Sequence, residues 1–335
     1  MRIAVIGAGG WGTALSVLAA RAGCEVRLWS RSAAVVEEIS ERRLNSAYLA
    51  GQEIPKSVSA TCDEREAVRG AEVVLLAAPS HATRGVLERL RACVEPVMVF
   101  VSATKGVEVE TGMRISEVVA DVLGRDAAER FVCLSGPSFA RESVAGQPTA
   151  VVAASGVEEL SRRVQSALSV KNFRVYTNCD VVGTELGGAS KNVMALAAGM
   201  AAGLGFGANS VAALITRGLA EMTRLALAEG ARVETLTGLA GLGDLVLTCT
   251  GGLSRNRHVG EELGRGRKLD EVLAGMNEVA EGVRTTRAIK LLASRRGVEM
   301  PITNEVHAVL YEGKSARAAV ESLMSRPLRD EFEVK

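Results

Sequence analysis

The chain begins with the apolar run Arg2-Ile3-Ala4-Val5-Ile6, and the segment Gly7-Ala8-Gly9-Gly10-Trp11-Gly12 follows it directly. Residues 13–22 then have the composition of a helix. This G-x-G-x-x-G therefore lies between a strand and a helix, the context in which it binds a dinucleotide. Gly7 permits the tight turn, Gly9 lets the backbone approach the phosphates, and Gly12 lets helix and strand pack closely. We predict a dinucleotide site here; the alternative is a glycine-rich turn that only shapes the fold.

Composition narrows the class of protein. A chain of 335 residues with 47% hydrophobic content fits two ordinary domains. The 40 basic and 39 acidic residues leave a net charge of +1, so we expect no nucleic acid as a partner. The six cysteines form no C-x-x-C, so we expect neither disulfides nor a metal site. Free thiols of this kind indicate a cytoplasmic location. The N-terminal apolar run is too short for a signal peptide.

One long stretch, residues 193–215, carries no charged side chain and is long enough to span a bilayer. It consists mostly of Ala and Gly, and it is interrupted at Gly203, Gly205, Gly207, Asn209 and Ser210. We therefore predict two buried helices joined by a glycine-rich turn, and no membrane insertion.

Strand and helix patterns alternate through the first half of the chain. Besides residues 2–6, we predict strands at 25–29, 73–78, 97–101, 131–134 and 149–154, with helices between them such as 82–93 and 114–123. After about Asn178 helical periodicity dominates, and residues 214–229 give the clearest amphipathic helix. The prediction is an α/β Rossmann-like, doubly wound domain over residues 1–180 and an all-helical substrate and catalytic domain over residues 181–335. The linker falls near residues 176–183, and the substrate cleft should lie between the domains.

The nucleotide is indicated by the end of the second strand. An acidic residue about twenty positions beyond the glycines normally binds the ribose hydroxyls of NAD. Here the strand ends in Ser30-Arg31-Ser32, and the first acid afterwards is Glu37. Because Arg31 can bind a 2′-phosphate, we predict NADPH, with NADH alongside it. The alternative is that Arg31 is an ordinary surface residue.

Three clusters in the second half have the composition of a catalytic site. Lys191 lies in Glu185-Leu186-Gly187-Gly188-Ala189-Ser190-Lys191-Asn192, which we expect to open a helix whose dipole lowers the lysine pKa. Asp244 is the one carboxylate in residues 238–250, and Lys191 is its natural partner if it is buried. Residues 254–257, Ser-Arg-Asn-Arg, suit a phosphate monoester. The structural alternatives are a lysine extending to solvent, an N-cap aspartate and a plain polar loop.

Taken together, these blocks resemble bacterial NAD(P)-dependent glycerol-3-phosphate dehydrogenase. The resemblance runs essentially end to end and rests on residues 7–12, 187–192, 241–250 and 254–257, with further matching blocks at 79–81, 104–106, 135–140, 205–209, 281–282 and 299–303. It implies reversible reduction of dihydroxyacetone phosphate to sn-glycerol 3-phosphate, feeding phospholipid synthesis. We also expect a homodimer.

The resemblance implies a role for individual residues. Lys191 would transfer the proton. Substrate contacts would fall on Lys105, Gly136, Ser138, Lys191, Asp244, Ser254, Arg255 and Asn256. Besides Gly7, Gly9 and Gly12, cofactor contacts would fall on Gly10, Trp11, Arg31, Lys105, Ala140, Arg255, Val279 and Glu281. Trp11 stands where relatives commonly have Tyr or Phe, an exchange that keeps a flat apolar face. Arg31 stands where some relatives have His, and this difference bears on the preference for the 2′-phosphate.

Two other functions fit part of the pattern. A β-hydroxyacid dehydrogenase shares the two-domain plan, but it places Asn four residues after its lysine, and position 195 here is Ala. An NAD(P)-binding sensor without turnover would need no proton donor at Lys191. A substrate panel that includes dihydroxyacetone phosphate separates these alternatives.

Overall fold

A computed structural model describes residues 1–276, 280–328 and 330–331. Its first half is an eight-stranded sheet with the order β3-β2-β1-β4-β5-β6-β7-β8. All neighbouring strands are parallel except β6 and β7, which are antiparallel. The strands are β1 (Arg2–Ile6), β2 (Glu25–Trp29), β3 (Val58–Thr61), β4 (Val73–Leu76), β5 (Val99–Ser102), β6 (Phe131–Ser135), β7 (Thr149–Ala154) and β8 (Phe173–Asn178).

Helices cover both faces of this sheet. They are α1 (Gly10–Arg21), α2 (Ala33–Arg42), α3 (Ser46–Leu49), α4 (Glu64–Val68), α5 (Ser80–Leu90), α6 (Ile115–Leu123), α7 (Arg125–Glu129), α8 (Ala140–Val144) and α9 (Glu158–Leu168), with a 3₁₀ turn at Arg91–Cys93. Alternate residues of β1 point to opposite faces: Ile3 and Val5 pack in the core that contains α1, while Ala4 and Ile6 pack in the core that contains α5 and α6. The central strands are buried on both sides, which explains their continuous apolar sequences.

The second half is helical. It contains α10 (Val181–Gly203), α11 (Ala208–Ala228), α12 (Val233–Thr237), a π-helical turn (Leu239–Gly243), α13 (Asp244–Thr250), α14 (Arg255–Gly264), α15 (Leu269–Ala274), α16 (Glu281–Arg296), α17 (Pro301–Tyr311) and α18 (Ala316–Met324). The central element is α10, which packs against α11, α13, α14 and α16 and is buried from Gly183 to Ala201. The predicted fold class, a Rossmann-like sheet followed by a helical domain, is confirmed. The boundary at residue 180 stays a prediction.

Several local predictions were wrong. The expectations did not include β3 and β8, and β8 takes up part of the predicted linker. The exposed residues Arg174 and Tyr176 alternate with buried ones along β8, as at the edge of a sheet. Residues 193–215 are not two buried helices, because the first turns of α11, including residues 208–210 and 212–213, are exposed. That helix also begins at Ala208 rather than at residue 214.

The described residues contain no single helix with the length and apolar character of a membrane span. One bent pair, Val233–Thr250 with Arg255–Gly264, meets those criteria by length and composition only.

Candidate active site

Two lysines from different halves of the molecule share one buried carboxylate. Lys105 follows β5, Lys191 lies in the middle of α10, and Asp244 is the first residue of α13. Lys191 Nζ donates to Asp244 Oδ1 at 2.6 Å, and Lys105 Nζ donates to Oδ2 at 2.8 Å. The Asp244 side chain is 1% exposed and that of Lys191 8% exposed. The pairing of Lys191 with Asp244 expected from the sequence is present.

Each ammonium has a second partner. Lys191 Nζ donates to Thr248 Oγ1 at 2.7 Å, and Lys105 Nζ donates to the Gly136 carbonyl at 2.8 Å. Sequence analysis missed Thr248 as a site residue, although its position one helical turn after Asp244 places both side chains on one face of α13. Ser138 Oγ donates to the same Gly136 carbonyl at 3.1 Å, so the turn after β6 joins this cluster.

The electrostatics favour an ammonium that can lose its proton near neutral pH. Burial lowers the pKa of Lys191 to about 8; the Asp244 carboxylate opposes that shift and the positive charge of Lys105 adds to it. Burial would raise the pKa of Asp244, but the two lysines hold it below its usual value.

The predicted origin of the Lys191 pKa shift was wrong. We expected Lys191 in the first turn of its helix, but α10 begins at Val181, ten residues earlier. At 1.5 Å per residue that end is about 15 Å away, beyond the reach of the helix dipole.

An amide network ties the lysine cluster to α14 and α16. Asn192 Nδ2 donates to the Lys105 carbonyl and Asn256 Nδ2 donates to Asn192 Oδ1, both at 2.9 Å. Asn256 Oδ1 accepts from the Gly282 backbone N–H, also at 2.9 Å. Asn192, which was not among the expected site residues, therefore connects Lys105 to the predicted phosphate-binding segment. The adjacent position of Asn192 and Lys191 in the sequence was the available signal.

The predicted phosphate-binding residues lie at the N-terminus of α14. Ser254 is buried and its Oγ accepts from the Arg257 backbone N–H at 3.2 Å, which caps the helix. Arg255, the first residue of α14, is exposed. No acidic side chain lies in the first turn of α14. Such an end, with a guanidinium beside it, suits an anion.

The glycine segment has the geometry that the fingerprint predicts. Gly7 has a φ of +118°, and α1 begins at Gly10 with no acidic residue in its first turn. A Cβ at Gly9 would meet no atom of the described residues within 4 Å, which leaves room for a phosphate beside its backbone. Asn45 holds the loop by donating to the Ala8 carbonyl at 2.9 Å and to Thr13 Oγ1 at 2.8 Å. Asn45 was not among the site residues expected from the sequence.

The other expected cofactor residues lie along the edge of the sheet at which β1, β2, β4 and β6 end. Trp11 packs on Phe173, with ring centroids 6.4 Å apart, and its buried indole N–H has no hydrogen-bond partner among the described residues. Arg31 is exposed just beyond β2, and Ala140 begins α8. Glu281 Oε1 accepts from the Ser80 backbone N–H at 2.9 Å, and burial raises the pKa of this carboxylate. Val279 lies outside the described residues. The unpartnered donor and the open glycine backbone fit a bound dinucleotide.

Comparison with known proteins finds matches along most of the chain. The family model of the NAD-dependent glycerol-3-phosphate dehydrogenase N-terminus matches residues 2–161, and that of the C-terminus matches residues 180–321. Glycerol-3-phosphate dehydrogenase [NAD(P)+] of Koribacter versatilis is 56% identical over 328 residues, 97% of each chain. The enzyme of that name from Geobacter sulfurreducens is 54% identical over 98% of each chain. The crystal structure of glycerol-3-phosphate dehydrogenase from Coxiella burnetii superposes with a TM-score of 0.93 at 41% identity, covering 97% of this chain and 99% of that one.

Proposed function

Because this chain belongs to the NAD-dependent glycerol-3-phosphate dehydrogenase family, we propose that Lys191 exchanges a proton with the oxygen of the reacting carbon. The enzyme interconverts dihydroxyacetone phosphate and sn-glycerol 3-phosphate with NAD(P)H. The relatives do not favour the β-hydroxyacid dehydrogenase or the non-catalytic sensor. The observation that carries the proposal is the Lys191–Asp244–Lys105 cluster, where helical residues meet the end of β5.

Two ammonium groups on one carboxylate leave an excess positive charge in a buried site. When bound, NAD(P)H would supply the hydride for the carbonyl carbon. As negative charge develops on the carbonyl oxygen, Lys191 donates a proton to it, and Lys105 stabilises it electrostatically. In the oxidative direction neutral Lys191 removes the proton from the hydroxyl. Asp244 and Thr248 hold the Lys191 Nζ in place for both steps.

The substrate phosphate is assigned to the N-terminus of α14. Ser254, Arg255 and Asn256 supply hydroxyl, guanidinium and amide donors there, and a charged Arg–phosphate pair is among the stronger hydrogen bonds. Lys105 in the lysine cluster, and Gly136 and Ser138 beside it, would contact the three-carbon body of the substrate. Holding the phosphate fixes the distance between the ketone and Lys191, which is a large part of what an enzyme contributes.

The dinucleotide is assigned to the edge formed by the glycine segment and its neighbours. Gly7, Gly9, Gly10, Trp11 and Gly12 would hold the diphosphate at the α1 N-terminus. Arg31 would bind the 2′-phosphate, which favours NADPH over NADH. The remaining contacts are Lys105, Ala140, Arg255, Val279 and Glu281.

The cellular setting belongs to the proposal as well. The enzyme would supply sn-glycerol 3-phosphate for phospholipid synthesis and act as a homodimer. A reducing cytoplasm suits its six free cysteines, and a net charge of +1 gives no support to a nucleic-acid partner or to membrane association.

The test is turnover of dihydroxyacetone phosphate, followed by nicotinamide absorbance with each reduced cofactor in turn. Loss of one acid–base group typically costs about 10²–10⁴ in rate, so Lys191→Ala should lose that factor in kcat and keep its NADPH affinity. Lys56→Ala, at an exposed lysine that precedes β3 at the opposite edge of the sheet, is the matched control and should retain turnover. Wild-type kcat in Lys191→Ala refutes the assignment of Lys191.

Arg255→Ala tests the phosphate site separately. Loss of a charged hydrogen bond of roughly 1.5–3 kcal/mol corresponds to a KM about ten- to a hundredfold higher for dihydroxyacetone phosphate. An unchanged KM removes Arg255 from the phosphate site without bearing on Lys191.

A further inference from the structure

Glu185 is a buried carboxylate on the catalytic helix that the proposed mechanism does not use. It is 6% exposed and lies on α10 six residues before Lys191, or about 9 Å along the helix axis. Among the described residues, its side-chain hydrogen bonds go to the other half of the molecule. Oε1 accepts from the Ser116 backbone N–H at 2.8 Å; Oε2 accepts from Ser116 Oγ at 2.6 Å and from Arg114 Nη1 at 3.1 Å.

These partners form the start of α6, which begins at Ile115 on a face of the sheet. The first N–H groups of a helix have no partner within the helix, so a carboxylate from α10 satisfies one of them. Arg114 also pairs with Glu117, at 2.9 Å. A side chain of the helical half therefore caps a helix of the Rossmann half. Burial of a charged carboxylate is unfavourable, and it raises the pKa of Glu185. The contact would therefore add little net stability to the fold if that were its only role.

Close backbone packing fixes α10 between Glu185 and Lys191. A Cβ at Gly187 would lie 2.6 Å from the Ala240 carbonyl oxygen, and one at Gly188 would lie 2.7 Å from Ser135 Oγ. On the far side of Lys191, Asn192 is bonded to the Lys105 carbonyl. Helix α10 is thus held against the Rossmann half both before and after the lysine.

We propose that Glu185 is a positioning residue of the dehydrogenase: by binding the start of α6, it sets where Lys191 Nζ lies relative to Lys105 and Asp244. This inference rests on the proposed role of Lys191. A displacement of about 1 Å between reacting groups can cost about a hundredfold in rate. The Glu185 contact therefore acts on kcat while it leaves the nucleotide site at α1 unchanged.

The experiment compares two glutamates that make the same kind of contact. Glu185→Gln keeps the shape of the side chain and one acceptor for the Ser116 N–H, but it loses the ion pair with Arg114. Its kcat should fall by about tenfold or more, with NADPH affinity within about twofold of wild type. The alkaline limit of the reduction rate should also move to lower pH, because a longer Lys191–Asp244 contact favours the ammonium less.

Glu221→Gln is the matched control. Glu221 is also buried, and it caps α17 by accepting from the backbone N–H groups of Ile302 at 2.6 Å and Thr303 at 3.3 Å. Both helices it joins belong to the helical half. Glu221→Gln should therefore keep wild-type kcat and the wild-type pH limit. An equal loss of kcat in the two variants would show a general effect of buried caps and overturn the inference.

Ser116→Ala provides a second, milder variant that removes one donor and no charge. Its kcat should lie between wild type and Glu185→Gln. If Glu185→Gln folds, a wild-type kcat in that variant overturns the inference. If Glu185→Gln does not fold, a wild-type kcat in Ser116→Ala overturns it instead. Lys191→Ala is measured in parallel: turnover retained there refutes the proposed function, whereas turnover lost there and kept in Glu185→Gln refutes the positioning role alone.

Discussion

The pKa of Lys191 predicts opposite pH profiles for the two directions of the reaction. Burial lowers that pKa from 10.5 to about 8. Reduction of dihydroxyacetone phosphate needs the ammonium as a proton donor, so its rate should fall as pH rises through about 8. Oxidation of sn-glycerol 3-phosphate needs the neutral amine, so its rate should rise over the same interval.

The size of the effect follows from the fraction of protonated lysine. With a pKa near 8, about 90% of Lys191 is an ammonium at pH 7 and about 10% at pH 9. Above pH 8 the reduction rate should therefore fall about tenfold for each pH unit. The lowering of the Lys191 pKa from 10.5 to about 8 corresponds to roughly 3 kcal/mol against the charged form, the net effect of burial, Asp244 and Lys105.

The assay is kcat/KM for dihydroxyacetone phosphate at saturating NADPH, since this quantity reports ionisations of the enzyme before the substrate binds. Measurements begin at pH 7, because the second pKa of a phosphate monoester lies near 6. Asp244→Asn removes the carboxylate that favours the ammonium and should move the limit of reduction to lower pH. A flat profile between pH 7 and 10, or a limit that stays in place in Asp244→Asn, would refute the reasoning.

Four further outcomes are expected. Thr248→Val removes a hydrogen bond that is stronger with the Lys191 ammonium than with the neutral amine, so the same assay should show the alkaline limit at lower pH; an unmoved limit contradicts this. Burial raises the pKa of Glu221 from 4.5 to about 7, so the folded state binds this proton more tightly and the wild type loses up to roughly 3 kcal/mol of stability as pH rises from 4.5 through 7; thermal melts should show that loss missing in Glu221→Gln. Gly7→Ala places a Cβ at a φ of +118° and 3.0 Å from the Ala77 carbonyl carbon, which should cost on the order of 1–3 kcal/mol in a denaturant titration and weaken NADPH binding; unchanged stability speaks against this strain. Arg31→Ser should raise KM about tenfold for NADPH and leave KM for NADH nearly unchanged, because only NADPH carries the 2′-phosphate; an equal change for both cofactors contradicts its assignment.

The sequence predicts those parts of the fold whose patterns are set by local burial. The buried parallel strands appear as continuous apolar runs. The glycine segment can be recognised because its turn requires glycine locally: Gly7 has a positive φ. β3 and β8 escaped prediction for a different reason. Strands β3 and β8 are the two edges of the sheet, and each contains polar or partly exposed residues instead of a continuous apolar run. Their strand character depends on neighbours that lie far away in the sequence.

In the site, too, the sequence indicates which residues take part but not how they are arranged in space. Asp244 could be selected from the sequence because a charge in an apolar stretch is unusual, and Lys191 could be selected as its partner, whereas Lys105 was implied only by the family resemblance. Their common geometry could not be predicted, because Lys105 and Asp244 are 139 positions apart and meet only after both halves fold.

The start of α10 shows most clearly what could not be predicted from the sequence. Glycines at 187 and 188 suggest a helix that begins there, since glycine disfavours helix interiors. In the structure α10 begins at Val181 and uses Gly187 for close approach to the Ala240 carbonyl. That approach requires the π-helical turn Leu239–Gly243, which directly precedes Asp244. Gly187, which obscures the helix in the sequence, therefore lets the turn that precedes Asp244 pack closely on α10, and Gly188 lets α10 approach Ser135 of β6, so the local pattern misleads beside the site.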